Sequence, residues 1–408
     1  MSKTTAGVVI IGGGLAGARA CMNLRAQDYA GSITLIGDER LLPYDRPPLS
    51  KSAIIEEATP EPIWLMDAAI AASLNVDLRI GSAAVRINRV VKTVSCDDGT
   101  EIPYTKLLVA TGAAPRTLTC PGGEHAVTLR DFSDAIELRT KFQIGKRIVI
   151  IGGGFIGLEL ASSAAKLGCA VTVIEAQSRI LQRGVPDPVA RLVHARHVAA
   201  GVTMEIGTGV AMLAADALTL IDGRVIPADT IVAGIGASPR TALAEAAGLA
   251  LENGIACNAK LQTSDPDIFA AGDCCSYVHE KFGGKRMRLE AWRNAQEQAA
   301  TAVENMCGGT KPHTAIPWFW SDQFDLSLQI TGVADLGPST VARVPSEGAL
   351  ILFHMAADGQ LMGASGIGPG NSIGRDIKFA EMLIAKGACP PPDLLADPAQ
   401  SLRALLKG

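Results

Sequence analysis

One glycine fingerprint occurs twice in the chain. Val8-Val9-Ile10-Ile11-Gly12-Gly13-Gly14-Leu15-Ala16-Gly17 and Ile148-Val149-Ile150-Ile151-Gly152-Gly153-Gly154-Phe155-Ile156-Gly157 each run from an apolar stretch through G-x-G-x-x-G into a helix-compatible segment. In such a unit the first glycine makes the strand-to-helix turn and the second lets the backbone approach a pyrophosphate. The third lets helix and strand pack closely. The helix N-terminus then faces the diphosphate with free N–H groups and a partial positive charge. A single copy is weak evidence. Two copies predict two dinucleotides on one chain, the minimum set for passing a hydride between them, and therefore an oxidoreductase.

At 408 residues the chain exceeds one ordinary core, so two or three domains are expected. The composition, 48% hydrophobic and 19% charged, suits compact folding and leaves little for disorder. A net charge of −4 provides no general attraction to nucleic acid or to anionic lipid. No apolar run reaches membrane-spanning length. The opening Met1-Ser2-Lys3-Thr4-Thr5 runs straight into the first strand with no space for a leader, so a cytoplasmic enzyme is expected. The nine cysteines are scattered without C-x-x-C, which argues against a disulfide reductase of the glutathione or lipoamide type. Most read as small buried thiols. The adjacent Cys274-Cys275 pair is a poor disulfide. His194 and His197 could share a helix face, but they lack a ligand partner in register and read as surface residues, with no metal site expected.

Periodicity and punctuation divide the chain further. The first unit reads as strand Gly7–Ile11, helix Leu15–Gln27 and strand Ser32–Ile36, closing at Gly37-Asp38-Glu39. The proline-rich Pro43–Lys51 stretch admits no regular element before Leu49. Short strands follow at Val76–Ile80, Arg86–Val94 and Thr100–Pro103, then a buried strand from Leu107. The second unit repeats the plan with strand Arg147–Ile151, helix Phe155–Leu167, strand Ala170–Ile174 and Glu175 at the strand end. Both units leave through a similar glycine–proline–arginine exit, at Ala110–Arg116 and Ala233–Arg240. Thr263–Asp273 reads as a strand feeding a Gly-Asp turn, and Trp292–Met306 as a helix. Near Ile316 the composition shifts, and β-like runs follow at Leu326–Thr331, Leu350–Met355 and Leu361–Ile367.

Five blocks in this order carry a resemblance over essentially the whole chain: the first glycine loop; Pro43-Tyr44-Asp45-Arg46-Pro47-Pro48-Leu49-Ser50-Lys51; the second glycine loop with Glu175; Thr263–Asp273; and Pro317-Trp318-Phe319-Trp320-Ser321-Asp322-Gln323. Together they resemble the two-dinucleotide flavoproteins of glutathione-reductase-like fold. More narrowly, they are similar to the ferredoxin reductases that serve bacterial aromatic-ring dioxygenases and haem monooxygenases. The fold implied is α/β, with two Rossmann-type domains and a C-terminal α+β domain. The implied boundaries are 1–116 with 244–315 for FAD, 117–243 for NAD and 316–408 for the C-terminal domain.

The resemblance places FAD on Gly12, Gly14, Ala16 and Gly17. The ribose-binding acid is displaced by one residue, to Asp38 or to Glu39 in its place. It adds Arg46, Lys51, Ala84, Arg130, Asp273 and Trp292 around the flavin, where a lysine can balance the negative charge gained on reduction. NADH falls on Gly152, Gly154, Phe155, Ile156 and Gly157, with Glu175 on the ribose, where a carboxylate accepts from a 2′-OH and repels a 2′-phosphate. Arg179 and Arg183 could each answer a phosphate, and the resemblance puts Arg183 on the NADH side. Gly234, Ile235 and Gly236 form a turn against NAD, and Glu290 and Trp320 cover the nicotinamide zone. Glu159, by itself a solvated helix carboxylate, is implied to pair with Lys51 where the hydride crosses. Lys51, Glu159 and Trp320 are thus the catalytic set.

The implied acceptor is a 2Fe–2S ferredoxin taking one electron at a time in a transient encounter, since this chain has no cluster motif of its own. The protein itself is expected to be a monomer or weak dimer. A basic docking face would draw on Lys285, Arg286, Arg288, Arg293, Lys311, Arg375 and Lys378. An NADH oxidase or rubredoxin reductase shares the scaffold, but oxygen- and peroxide-reducing relatives carry a redox cysteine where this chain has Ser50. A redox-gated signalling role like that of apoptosis-inducing factor stands further off.

Overall fold

The run Gly7–Ile11 is buried at every position and forms a strand with neighbours on both sides, as a continuous apolar run should. It belongs to the first of two compact units in the computed structural model, which describes residues 6–407. The stretch Met1–Thr5, read above for a leader, lies outside the described residues.

The first unit gathers Met1–Asp45, Pro62–Ala114 and Ser238–Ala315. Its parallel sheet runs Val76–Ile80, Ile33–Gly37, Gly7–Ile11, Glu101–Val109 and Ile268–Ala270 in spatial order. Helix Leu15–Ala26 crosses over between the first two strands in the chain and packs against helix Trp292–Met306. Two readings need correction. Arg86–Val94 is not one strand but the hairpin of Ala84–Asn88 and Thr93–Cys96. Its turn is set by Asn88, whose side-chain oxygen accepts from the N–H groups of Val90 and Val91. Thr100–Pro103 and the run from Leu107 merge into the single strand Glu101–Val109. Pro103, which has no N–H to give, lies where this strand changes from an antiparallel partner to a parallel one.

The second unit gathers Arg46–Glu61, Pro115–Ala237 and Ile316–Gly408. Its parallel sheet runs Thr203–Ile206, Ala170–Glu175, Arg147–Ile151, Thr230–Ala233 and Ala126–Val127. An antiparallel meander, Val210–Leu213, Ala217–Leu220 and Val225–Pro227, covers it through Leu213, Leu218 and Leu220 packed on Val149, Ile151 and Ile174. The prolines of the Pro43–Lys51 block do form a regular element. Pro47–Ser50 is a 3₁₀ turn with prolines in its first positions, where no N–H is needed, and Ser52–Ile55 continues it as a helix.

Residues after Ile316 build an antiparallel sheet in the order Trp318–Gln323, Leu326–Gly332, Leu361–Pro369, Leu350–Met355 and Ser339–Arg343, with helix Gly374–Lys386 packed on it. Arg343 closes its far end. The buried guanidinium bonds Asp376 at 2.9 Å and donates to the carbonyls of Leu395, Asp397 and Gln400, which fastens the C-terminal segment.

Candidate active site

The two glycine loops have the same geometry. Gly12 and Gly152 both turn at positive φ, 124° and 111°. A Cβ on Gly12 would stand 2.1 Å from the Ala110 carbonyl, and one on Gly152 would stand 2.4 Å from that of Gly234. Gly17 and Gly157 are blocked in turn by the carbonyls of Gly12 and Gly152. A Cβ on Gly14 would meet nothing within 4 Å, and one on Gly154 would meet the Gly234 carbonyl at an ordinary 3.9 Å. Each caps a helix with no side-chain bond at its N-terminus and no acid in the first turn. Exposed N–H groups beside an open glycine fit a pyrophosphate, so the residues present suit one dinucleotide in each unit. Ala16, buried in the first helix turn, lies under Gly272.

The ribose positions differ. Gly12 N–H donates to the Ile36 carbonyl and Gly152 N–H to that of Ile174, both at 2.7 Å, which aligns Gly37 with Glu175. A glycine therefore fills the acid's slot in the first unit, and Asp38 follows one residue later, exposed and paired with Arg240 at 2.8 Å. Glu39 accepts from the Tyr44 hydroxyl at 2.6 Å. Glu175 turns onto the glycine loop, accepting from Gly153 N–H at 2.8 Å and from Gln177 N–H at 2.7 Å. Arg179 is engaged with the carbonyls of Ile180 and Val185, which shapes the loop, while Arg183 is exposed. Gly234 supplies the carbonyl beneath Gly152, and Ile235 leads to Gly236, at φ 101° with open space beside it. Ile156 is exposed on the helix.

Elsewhere in the first unit, Gly272 turns at positive φ ahead of Asp273, and its N–H is held by the buried Gln298 at 2.8 Å. Trp292 opens its helix and donates to Asp45 at 2.6 Å. Glu290 pairs with Arg288, whose guanidinium also reaches the Asp273 carbonyl. Ala84 lies opposite Cys96 on the antiparallel hairpin, two residues after Ser82, whose N–H donates to the Gly37 carbonyl at 3.0 Å.

Glu159 is the centre of the second unit's polar cluster. Its carboxylate is buried, not solvated as its helix position alone suggests. One oxygen accepts from Ser50 at 2.5 Å and Lys51 at 2.7 Å, and the other from Ser321 at 2.6 Å. Lys51 is about a quarter exposed, so the pair has one open end. The 3₁₀ turn puts Ser50 and Lys51 side by side. The Ser50 carbonyl is itself bonded by Ser163, one helical turn beyond Glu159. Arg46 donates to the Arg130 carbonyl at 2.6 Å, and Arg130 N–H is held by Asp134. Strand Trp318–Gln323 lies along the helix: Phe319 packs on Phe155 with ring centroids 4.4 Å apart, and Ser321 meets Glu159. Trp320 stacks on Trp318 at 5.2 Å.

The sequence model of the pyridine nucleotide-disulphide oxidoreductase family matches residues 6–299, and a reductase C-terminal model matches 318–406. The chain belongs to the pyridine nucleotide-disulphide oxidoreductase family. This family member is 40% identical to the ferredoxin--NAD(+) reductase component of an anthranilate 1,2-dioxygenase system from Burkholderia cepacia, over 98% of each chain. It is 38% identical to a rubredoxin-NAD(+) reductase from Pseudomonas putida, over 80% of this chain and 86% of the relative. Among solved structures it superposes on putidaredoxin reductase, in its covalent complex with putidaredoxin, with a TM-score of 0.93 at 33% identity, covering 99% of each chain.

His197 is not on the surface but fully buried, bonded to Gln323 at 3.0 Å. Among the described residues no group of three or more His, Cys, Asp or Glu could hold a metal. Ser50, Ser321 and Gln323 join the site beyond the residues the sequence nominates. Their signal was present, since all three stand in the two blocks most characteristic of the resemblance. The basic positions are locally balanced: Arg286 pairs with Glu252, Arg293 with Glu297, Lys311 with Glu304 and Lys378 with Glu381, and Arg375 approaches Asp376.

Proposed function

We propose that this chain takes hydride from NADH onto FAD and delivers electrons singly to a 2Fe–2S ferredoxin of a bacterial oxygenase system, of the aromatic-ring dioxygenase or haem monooxygenase kind. The observation that carries the reading is the pair of glycine loops with one geometry and different ribose positions, on a chain that aligns end to end with a ferredoxin reductase. FAD and NADH are the cofactors; when bound, FAD accepts a two-electron hydride and releases its electrons one at a time.

The chain's own residues have these roles. Gly12, Gly14 and Gly17 with Asp38 hold the first dinucleotide, and Gly152, Gly154 and Gly157 with Glu175 the second. Arg46, Arg130, Asp273 and Trp292 bind around the flavin. Phe155, Ile156, Arg183, Gly234, Ile235, Gly236 and Glu290 bind on the NADH side. Lys51 supplies positive charge at the reacting edge, Glu159 fixes that lysine, and Trp320 excludes water from the ring-stacking zone. Residues 1–116 with 244–315 form the FAD domain, 117–243 the NAD domain and 316–408 the C-terminal domain. The ferredoxin encounter is transient, and because the basic residues are individually paired, docking relies on shape at least as much as on net charge. The protein works in the cytoplasm, where its nine free thiols stay reduced, as a monomer or weak dimer. No helix among the described residues is long and apolar enough to cross a membrane.

Anaerobic titration with NADH tests this. About one equivalent should bleach the flavin, and added ferredoxin should restore the colour rapidly. The rubredoxin-reductase relative favours a second acceptor, and faster reoxidation by rubredoxin would select it. Recovery only with oxygen or peroxide would replace both by an oxidase.

A further inference from the structure

A line of buried polar side chains extends from Glu159 away from Lys51. Ser321 Oγ donates to Glu159 at 2.6 Å, Gln323 Nε2 donates to Ser321 Oγ at 3.1 Å, and Gln323 Oε1 faces His197 Nε2 at 3.0 Å. Glu159, Ser321, Gln323 and His197 are all at most 4% exposed. The direction of the line is fixed by what each group can do. The Gln323 amide spends an N–H on Ser321, which leaves its carbonyl oxygen toward His197, so the imidazole must donate from Nε2. Burial pushes His197 down to about 4, so the ring is neutral and carries one proton. Nδ1 is then a bare acceptor, and it is the ring nitrogen with no hydrogen-bond partner. An unbonded lone pair is a smaller burden in a core than an unbonded N–H.

Every donor in the line therefore points toward one carboxylate. Hydrogen bonds in series polarise one another, and the effect is largest where the terminal acceptor is ionised and water is excluded. The ring is also clamped. His197 meets Phe324 edge-on at 4.9 Å, Arg196 covers the Phe324 ring at 4.4 Å, and Phe324 N–H donates to Ser162 on the Glu159 helix at 2.8 Å. The ring thus cannot turn to offer Nδ1 without disturbing the hairpin tip.

We propose that His197 is a positioning residue for the reductase site: through Gln323 and Ser321 it holds Glu159 in the orientation that pairs with Lys51. The inference rests on the reading of Glu159 given above, and the experiment separates the two.

The flavin-loaded protein is labelled with ¹⁵N-histidine, and His197 is assigned by the signal lost in His197→Gln. The expected spectrum has a protonated Nε2 and a bare Nδ1, and both signals move in Glu159→Gln although that residue does not touch the ring. A protonated Nδ1, or signals indifferent to Glu159→Gln, overturns the proposal without any turnover assay. Stopped-flow reduction by NADH provides the second readout. His197→Phe and Gln323→Met should each slow flavin reduction at saturating NADH by roughly three- to tenfold, the worth of one hydrogen bond. His197→Gln, which keeps a donor near the Nε2 position, should recover most of the rate. The double variant E159Q/H197F should be no slower than E159Q alone, because the residues act in series. Additive effects, or a wild-type rate in His197→Phe, would sink the positioning role while leaving Glu159 in the site. A wild-type rate in Glu159→Gln would instead remove Glu159, and the site reading with it.

Discussion

Ser321 donates to Glu159 across 2.6 Å, joining residues 162 positions apart in the chain. The bond is one rung of a match between a strand and a helix face. Along the helix, Phe155, Glu159 and Ser162 project on one side at near-helical spacing. Along the hairpin, Phe319, Ser321 and the Phe324 N–H meet them in the same order. A helix of period 3.6 and a strand of period 2 stay in step only over such a short span. It is long enough to carry one aromatic contact, one charged hydrogen bond and one backbone anchor.

The glycines of one loop should fail differently. Gly14→Ala has room for its methyl and should fold, with FAD affinity about tenfold weaker, equivalent to ~1.4 kcal/mol. Gly17→Ala places a Cβ 2.0 Å from the Gly12 carbonyl and should not assemble the unit. The flavin-to-protein absorbance ratio and a melting curve on both variants test this. Equal behaviour would contradict the loop geometry.

Glu175→Ala should lower the preference for NADH over NADPH in kcat/KM by about tenfold or more, because a charge-assisted bond to the ribose is lost and repulsion of a phosphate is relieved. Arg179→Ala should lower the melting temperature and leave the preference alone, since its guanidinium is committed to loop carbonyls. An unchanged ratio in the glutamate variant would take Glu175 off the ribose.

Trp320→Ala should slow flavin reduction in stopped flow while FAD stays bound. Trp320 stacks on Trp318, and the strand's anchoring residues face the other way. Loss of FAD would show that this strand supports the flavin site itself.

Arg343→Met should cost about 3–5 kcal/mol, because it strands the buried Asp376 carboxylate and frees several carbonyls at once. Limited proteolysis should then cut first after residue 390. Uniform resistance would mean the C-terminal segment is held elsewhere.

Burial pushes His197, His313 and His354 down to about 4 from an ordinary 6.5. The unfolded chain thus takes up protons near pH 6.5, where the native protein does not. Their stabilising contribution is complete above pH 6.5 and declines as pH falls toward 4, by on the order of 1.4 kcal/mol per pH unit for each ring at most. Urea midpoints between pH 7.5 and 4.5 measure it. A flat profile would show that these rings are protonated inside the fold.

Where a signal was local, it was legible in the sequence. Gly7–Ile11, Arg147–Ile151 and Trp292–Met306 have the bounds their apolar patterns announce. Asn88 ended a strand early because its side chain competes for backbone N–H groups, which an apolar pattern alone does not reveal. Glu159 could be nominated by its place after the second glycine loop. Its burial could not, because the cover comes from a 3₁₀ turn more than a hundred residues earlier and a strand later in the chain. His197 misled for the same reason. Its partner Gln323 is 126 positions away, although Val189 and Val193, buried at i−8 and i−4 on the same helix, mark that face as interior.

The alternation of strand Trp318–Gln323 also bears on how such a protein can change over evolutionary time. Odd positions are committed inward, to Phe155, Glu159 and His197, so a substitution there propagates into the polar cluster. At the even positions Trp318 and Trp320 stack on one another at 5.2 Å and Asp322 is exposed. One short segment therefore carries two separable tasks, and a library restricted to its even positions would alter the tryptophan face while sparing the polar cluster.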